Sequence, residues 1–224
     1  MALSLRPQLH YCVANGRVVL LDLAKDRYFA LPDPLDEAFQ TLTARGGSFG
    51  DHTTGIRNLV EQGILTQKSD VTGPPHAPSL PRPAHSFVDS PPAGWVNPIT
   101  FLQALLAQRR ANADHSGLTL PHYVRRVSDM LAKSDDARIE APSAQTLGAL
   151  RAYLATRWLI TTRDQCLLQS ATLFQFLARR GWHPRFVVAV RMAPFAAHAW
   201  VQSGETVLND RLDHVLPYTP ILVL

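Results

Sequence analysis

Seven of the chain's seventeen prolines fall within residues 69–94, as Pro74-Pro75, Pro78, Pro81, Pro83 and Pro91-Pro92. Proline has no amide proton for a sheet ladder, and it drives the residue before it out of the helical region. The same stretch carries neither the 3.6-residue nor the two-residue apolar period. It is predicted to be an extended linker that divides the 224 residues into two modules, 1–68 and 95–224. No internal repeat is visible.

Composition removes several function classes. The chain is 46% hydrophobic and 18% charged, ordinary for a globular protein. No apolar run approaches the roughly 18 residues of a membrane span. The start, Met-Ala-Leu-Ser-Leu-Arg-Pro, lacks the pattern of a secretory signal. Cys12 and Cys166 are the only thiols, too few for a disulfide scaffold, so a cytoplasmic, soluble protein is expected. The net charge of +4 is not gathered into a stripe: residues 1–68 are neutral, with seven basic and seven acidic side chains. From Trp95 onward the fourteen basic residues, including Arg109-Arg110, Arg125-Arg126 and Arg179-Arg180, are scattered among nine acidic ones. Neither nucleic acid nor membrane is an expected partner. The nine histidines are dispersed, neither cysteine has a partner at ligand spacing, and Gly46-Gly47 lacks the Lys-Ser/Thr of a phosphate loop. No metal and no cofactor are expected.

The periodicity predicts an α+β fold. Residues 10–13 and 17–23 read as strands joined by Asn15-Gly16, a two-residue hairpin turn, and residues 27–31 read as a third strand ended by Pro32. A helix over 34–44 stops at Gly46-Gly47, and a second covers 53–62 before Gly63. Three strands and two or three helices make a small winged-helix-like module. Beyond the prolines, helices come first. Asn97 caps one running to about Arg110, and a second covers 121–132. Ser143 caps a third reaching Trp158, and a fourth spans 166–180, followed by Gly181. Strands over 185–191, 197–202 and 206–210 follow, the last two joined at Ser203-Gly204-Glu205. Helices followed by an antiparallel sheet make the second module, residues 95–224, α+β as well.

The chemistry concentrates between Thr161 and Asp210. Cys166 is expected in the first turn of a helix starting near Thr162 or Asp164, where unpaired amides favour a thiolate. His198 lies on a strand and is the natural general base and acid. A three-residue loop over 203–205 places Asp210 opposite His198; a two-residue loop places Asn209 there. Either could hold the imidazole tautomer, and Asp210 also stabilises an imidazolium. Each residue alone has an ordinary explanation: a buried thiol, a core imidazole, a turn carboxylate. Together they point to a thiol enzyme. The backbone N–H of Cys166 is the expected oxyanion donor, with Gln165 a lesser one.

The strings Arg163-Asp164-Gln165-Cys166-Leu167, Pro194-Phe195-Ala196-Ala197-His198-Ala199-Trp200-Val201 and Val207-Leu208-Asn209-Asp210 resemble the lasso-peptide B protein family. Those proteins are transglutaminase-like cysteine proteases that remove the leader from a lasso-peptide precursor. The resemblance implies Cys166 as nucleophile, His198 as general base and acid, and Asp210 as orienting residue. Residues 1–68 resemble the precursor-peptide recognition element related to the quinone-cofactor chaperone family, a module of three strands and three helices. The resemblance implies two partners: the leader region of a precursor peptide, and an ATP-dependent cyclase of the asparagine-synthetase type. In physical terms, an edge strand over 27–31 can accept an extended peptide as a further strand. Tyr28, Phe29, Ala30, Leu31, Leu59 and Ile64 are the candidate leader-binding residues, although filling a small core is the stronger reading of Tyr28, Leu31 and Leu59. Two other readings stay open: an amidase or acyltransferase acting on a different peptide, and a non-catalytic leader-peptide escort.

Overall fold

The computed structural model of the chain describes residues 3–46, 54–67, 75–91, 93–114, 118–133, 142–159 and 165–224. The N-terminal part contains β1 (Leu3–Leu5), β2 (Leu9–Ala14), β3 (Arg17–Asp22), β4 (Arg27–Ala30), α1 (Asp33–Ala44), α2 (Thr54–Glu61) and β5 (Leu65–Gln67). Strands β2, β3 and β4 form an antiparallel sheet in that order, with β4 at its edge, and β1 pairs with β5. Asn15 and Gly16 make the two-residue turn, both at positive φ, with Ala14 opposite Arg17. Gly47, predicted to help stop the first helix, and Thr53, predicted to start the second, lie outside the described residues.

Strand β3 reads Arg-Val-Val-Leu-Leu-Asp, and every residue from Val18 to Asp22 is buried. An apolar run without alternation belongs to a strand covered on both faces. On one face, Val18 and Leu20 join Leu9, Tyr11, Phe39, Leu42, Ile56 and Leu59 in a local core. On the other, Val19 and Leu21 join Cys12, Ala14 and Leu23 in a core shared with Leu168, Phe174, Val188 and Leu222. The parts on either side of the prolines are therefore packed together, which a tethering linker does not anticipate.

The rest of the chain contains β6 (His85–Ser86), α3 (Pro98–Ala113), α4 (Leu120–Ala132), α5 (Ala144–Ala155), a 3-10 turn (Thr156–Leu159), α6 (Cys166–Ala178), β7 (Arg185–Met192), β8 (Phe195–Ser203), β9 (Thr206–Val207), α7 (Leu212–Val215) and β10 (Thr219–Val223). The sheet order is β10-β7-β8-β9-β6, antiparallel except where β6 joins β9. Asn97 accepts from the amides of Ile99 and Thr100 at the start of α3, and Ser143 caps α5. Helix α5 ends at Ala155, short of Trp158, whose side chain lies outside the described residues. Helix α6 is apolar nearly all round because it is the central helix, burying Leu168, Leu173, Phe174 and Leu177.

The described part of the proline-rich segment is extended and laid along the molecule; residues 69–74 and Pro92 lie outside it. Tyr11 donates its hydroxyl to the Pro75 carbonyl at 3.2 Å, and Gln202 donates Nε2–H to the Pro81 carbonyl at 2.7 Å. Strand β6 then adds itself to β9. No described helix is long and apolar enough to cross a membrane.

Candidate active site

Cys166 is the first residue of α6, with Gln165 as N-cap. The sequence places the helix start near Thr162 or Asp164, both outside the described residues; α6 begins at the cysteine itself. Its first-turn amides have no intrahelical acceptor, and the positive end of the helix favours an anion there. The Gln165 side chain makes no cap bond, and its Oε1 is buried without a hydrogen-bond partner among the described residues.

Strand β8 brings His198 to this helix end. The sheet register differs from the expected one: Ser203 pairs with Thr206 and Gln202 with Val207, so Gly204-Glu205 form a two-residue turn. Continued regularly, that register would put Arg211 opposite the imidazole. The strand does not continue. Strand β9 ends at Val207, and the side chain of Asn209 turns inward to accept the Val201 amide at 2.8 Å and to donate to Ser170 Oγ at 2.9 Å. Asp210, the next residue, is thereby swung to His198, with Oδ2 2.6 Å from Nε2. Asp210 meets His198 through a two-residue turn where a three-residue loop was expected.

Ser170 and Tyr218 belong to the site's support and were missed. Ser170, one helical turn after Cys166, donates to the Ala199 carbonyl at 2.9 Å and locks α6 against β8. Its spacing from the thiol was the only signal for it. The ring of Tyr218 lies 5.2 Å from that of His198, and Trp200 packs at 6.1 Å. Nothing in the sequence connects Tyr218 with His198, because a turn and a new strand intervene. Asp210 is held by further bonds: Oδ1 accepts from the Arg211 amide at 2.7 Å, with His214 Nδ1 at 3.2 Å. Ser86 donates to the Asp210 carbonyl at 2.6 Å, so the proline-rich segment also fixes this residue.

The electrostatics of the three groups agree. Burial alone would raise the Cys166 thiol, but the hydrogen bond and charge of His198, with the amides of Ala199 and Leu167, bring it below its ordinary value. Burial alone would lower His198; its bonds to Asp210 and Cys166 overcome that and raise it to about 9. Burial likewise opposes ionisation of Asp210, and His198 and the Arg211 amide hold it below its usual range. With Nε2 committed to Asp210, Nδ1 is the nitrogen left for the thiol. Both shifts favour a thiolate–imidazolium pair over the neutral thiol and imidazole. Cys12 is the contrast: 1% exposed in the shared core, with burial pushing its thiol up to about 12.

Of the residues expected to bind a leader, Leu31, Leu59 and Ile64 are buried in the N-terminal core, where they pack instead of facing a ligand. Tyr28 and Phe29 are half-buried and Ala30 is exposed on the edge strand β4.

A thiolate at a helix start, beside a strand imidazolium held by a carboxylate, can attack a carbonyl and return a proton to the departing group. Fold and site together are those of a thiol-dependent acyl-transfer enzyme. Residues 101–223 match the family model described as the transglutaminase-like superfamily, and the chain belongs to that superfamily. Its members are typically cysteine-dependent enzymes, with cysteine-protease-like or acyltransferase-like function. The match includes Cys166, His198 and Asp210 and begins beyond the N-terminal sheet. No curated protein and no solved structure matches the chain.

Proposed function

We propose that the protein is a cysteine endopeptidase that removes the leader from a lasso-type ribosomal precursor peptide. The observation that carries the reading is the Cys166–His198–Asp210 arrangement, a lowered thiol beside a raised imidazole. The Cys166 thiolate attacks the carbonyl at the leader–core junction. The backbone N–H of Cys166 donates to the developing oxyanion. The His198 imidazolium gives its proton to the departing amine of the core. Then, as neutral imidazole, it takes a proton from the water that hydrolyses the thioester. Asp210 holds the ring and stabilises its charged form.

The leader specificity rests on the strings around Cys166, His198 and Asp210 and on the edge strand of the N-terminal sheet, to which an extended leader could add. The freed core amine would pass to an ATP-dependent cyclase of the asparagine-synthetase type. Incubation of the purified chain with a lasso-type precursor tests the reading. Mass spectrometry should show two fragments that Cys166→Ala no longer produces. Undiminished cleavage by Cys166→Ala would refute the nucleophile, and a conjugate in place of fragments would replace hydrolysis by acyl transfer.

A further inference from the structure

One face of α3 is buried through Ala104 and Gln108. On the opposite face Ile99, Leu102 and Leu106 follow one another at spacings of three and four residues, and they remain 70%, 54% and 42% exposed. Packing within the chain leaves this apolar stripe uncovered. Arg110, one turn further along, continues the same line.

There the stripe opens into a cleft of about 660 Å³ between α3, α4 and α6. Leu106, Arg110 and Asp114 line it from α3 and its end, Arg126 from α4, and Phe176, Arg179 and Arg180 from the C-terminal end of α6. Each of the three arginine pairs scattered along the sequence therefore contributes to one concavity, and four guanidinium groups share it with a single lining carboxylate. Among the described residues Arg110, Arg126 and Arg179 have no ion pair, whereas Arg125 meets Asp129, Arg17 meets Asp33 and Asp36, and Arg211 meets Asp89 and Asp213. Arg180 is fixed in place: it donates to the Phe176 carbonyl at 2.8 Å and to Gln103 Oε1 at 2.7 Å, with its guanidinium 3.7 Å from the centre of the Phe176 ring. Burial and the charge of Arg179 pull its pKa below the ordinary arginine value. Like charges gathered in a concavity repel one another, and a bound anion relieves them.

We propose that the stripe and the cleft form one docking surface for an acidic, amphipathic segment of another polypeptide. Its apolar residues cover Ile99, Leu102 and Leu106, and its carboxylates pair with Arg110, Arg126 and Arg179. Length favours a polypeptide over a small anion, since α3 rises about 16 Å, roughly three turns, from Ile99 to Arg110. Concavity disfavours a lipid surface, because Arg126 and Arg179 stand on other helices around the cleft, where a planar layer of headgroups does not follow. The chain's own net charge of +4 makes a second copy a poor source of the negative charge. The surface is independent of the thiol chemistry and of whether the substrate is a lasso precursor.

The test titrates the full chain into a fluorescein-labelled peptide of about 18 residues, with leucines at helical spacing and glutamate and alanine between them, and reads anisotropy. A twin with lysine in place of glutamate, and vesicles of phosphatidylglycerol and phosphatidylcholine, are titrated alongside. The acidic peptide should bind, more weakly as salt rises, and the lysine twin should not. Arg125→Glu and Arg126→Glu change the net charge equally, but only Arg126 lines the cleft. Arg126→Glu should weaken binding about tenfold or more, and Arg125→Glu less than about twofold. Leu102→Ser, at the far end of the surface, should weaken it about three- to tenfold. No binding of the acidic peptide, equal binding of its lysine twin, equal losses in Arg125→Glu and Arg126→Glu, or wild-type affinity in Leu102→Ser overturns the proposal. Vesicle binding without peptide binding overturns it in favour of a lipid surface. Should Arg126→Glu fail to fold, Arg110→Glu serves in the same comparison. A precursor left uncleaved would refute the leader-peptidase reading and leave these affinities untouched.

Discussion

Asp210→Asn isolates how the thiolate is maintained. The carboxylate accepts from His198 Nε2 at 2.6 Å and heads the groups that raise the imidazole from 6.5 to about 9. That rise corresponds to about 3 kcal/mol of preference for the charged ring, shared between Asp210 and the thiolate. Asparagine has one oxygen where aspartate has two: with Oδ1 kept on the Arg211 amide, an NH2 donor faces His198 Nε2, so the shape survives while the charge and the acceptor for the ring N–H are lost. The imidazolium pKa should fall by more than about 1, and the thiol, deprived of a stable cation, should rise. Iodoacetamide alkylation of Cys166, followed by peptide mass mapping across pH 5–10, reads both changes. In the wild type the rate climbs through the lowered thiol pKa and stays level up to about pH 9. In Asp210→Asn the climb begins at higher pH, and alkylation on the acid limb slows about tenfold for every tenfold loss of thiolate. Superimposable wild-type and Asp210→Asn profiles would refute the ion-pair reasoning.

The other expectations follow from particular contacts. Cys12 should resist iodoacetamide at pH 7 in the folded chain, because a thiol at about 12 is ionised on the order of 1 part in 10⁵, and should label fully once denatured. Asn209→Ala strips the buried Val201 amide of its acceptor and Ser170 of a partner, and should cost about 1–3 kcal/mol in urea unfolding. Leu21→Ala opens the core shared by both parts and should cost about 2–5 kcal/mol, with N-terminal and C-terminal probes melting together. Separate transitions in that melt would contradict a shared core. The His198–Asp210 bond should stabilise the fold fully below the ordinary histidine pKa of about 6.5, while Asp210 is ionised, and its contribution should vanish as pH rises through 9. Thermal melts of wild type and His198→Ala from pH 6 to 10 should converge.

Features written in neighbouring residues were legible in the sequence. Asn15-Gly16, Asn97-Pro98 and Ser143 each encode a turn or cap through their own backbone preferences, and the structure has them there. Cys166 and His198 were legible because each sits on an element with a clear local pattern, whereas Asp210 was reached through a strand over 206–210 that in the structure ends at Val207. What escaped depends on distant partners. Strands β6 and β10 take their pairing from β9 and β7, and β6 lies in a proline-rich stretch that offers no alternation. The turn after β8 was placed one residue off because Ser203-Gly204-Glu205 suits loops of either length, and only the inward bonds of Asn209 decide the outcome. The unbroken apolar run of β3 did hold a signal for a doubly covered strand; its second cover is contributed by β7 and β10, roughly 170–200 positions later.

That doubly covered strand has a bearing on how such a chain is made and kept. Synthesised alone, the first 68 residues would leave Cys12, Ala14, Val19, Leu21 and Leu23 wet, a sticky sheet inviting aggregation. Carrying both parts on one polypeptide conceals that face as soon as the second part folds, so the C-terminal part shields the N-terminal sheet from unwanted partners.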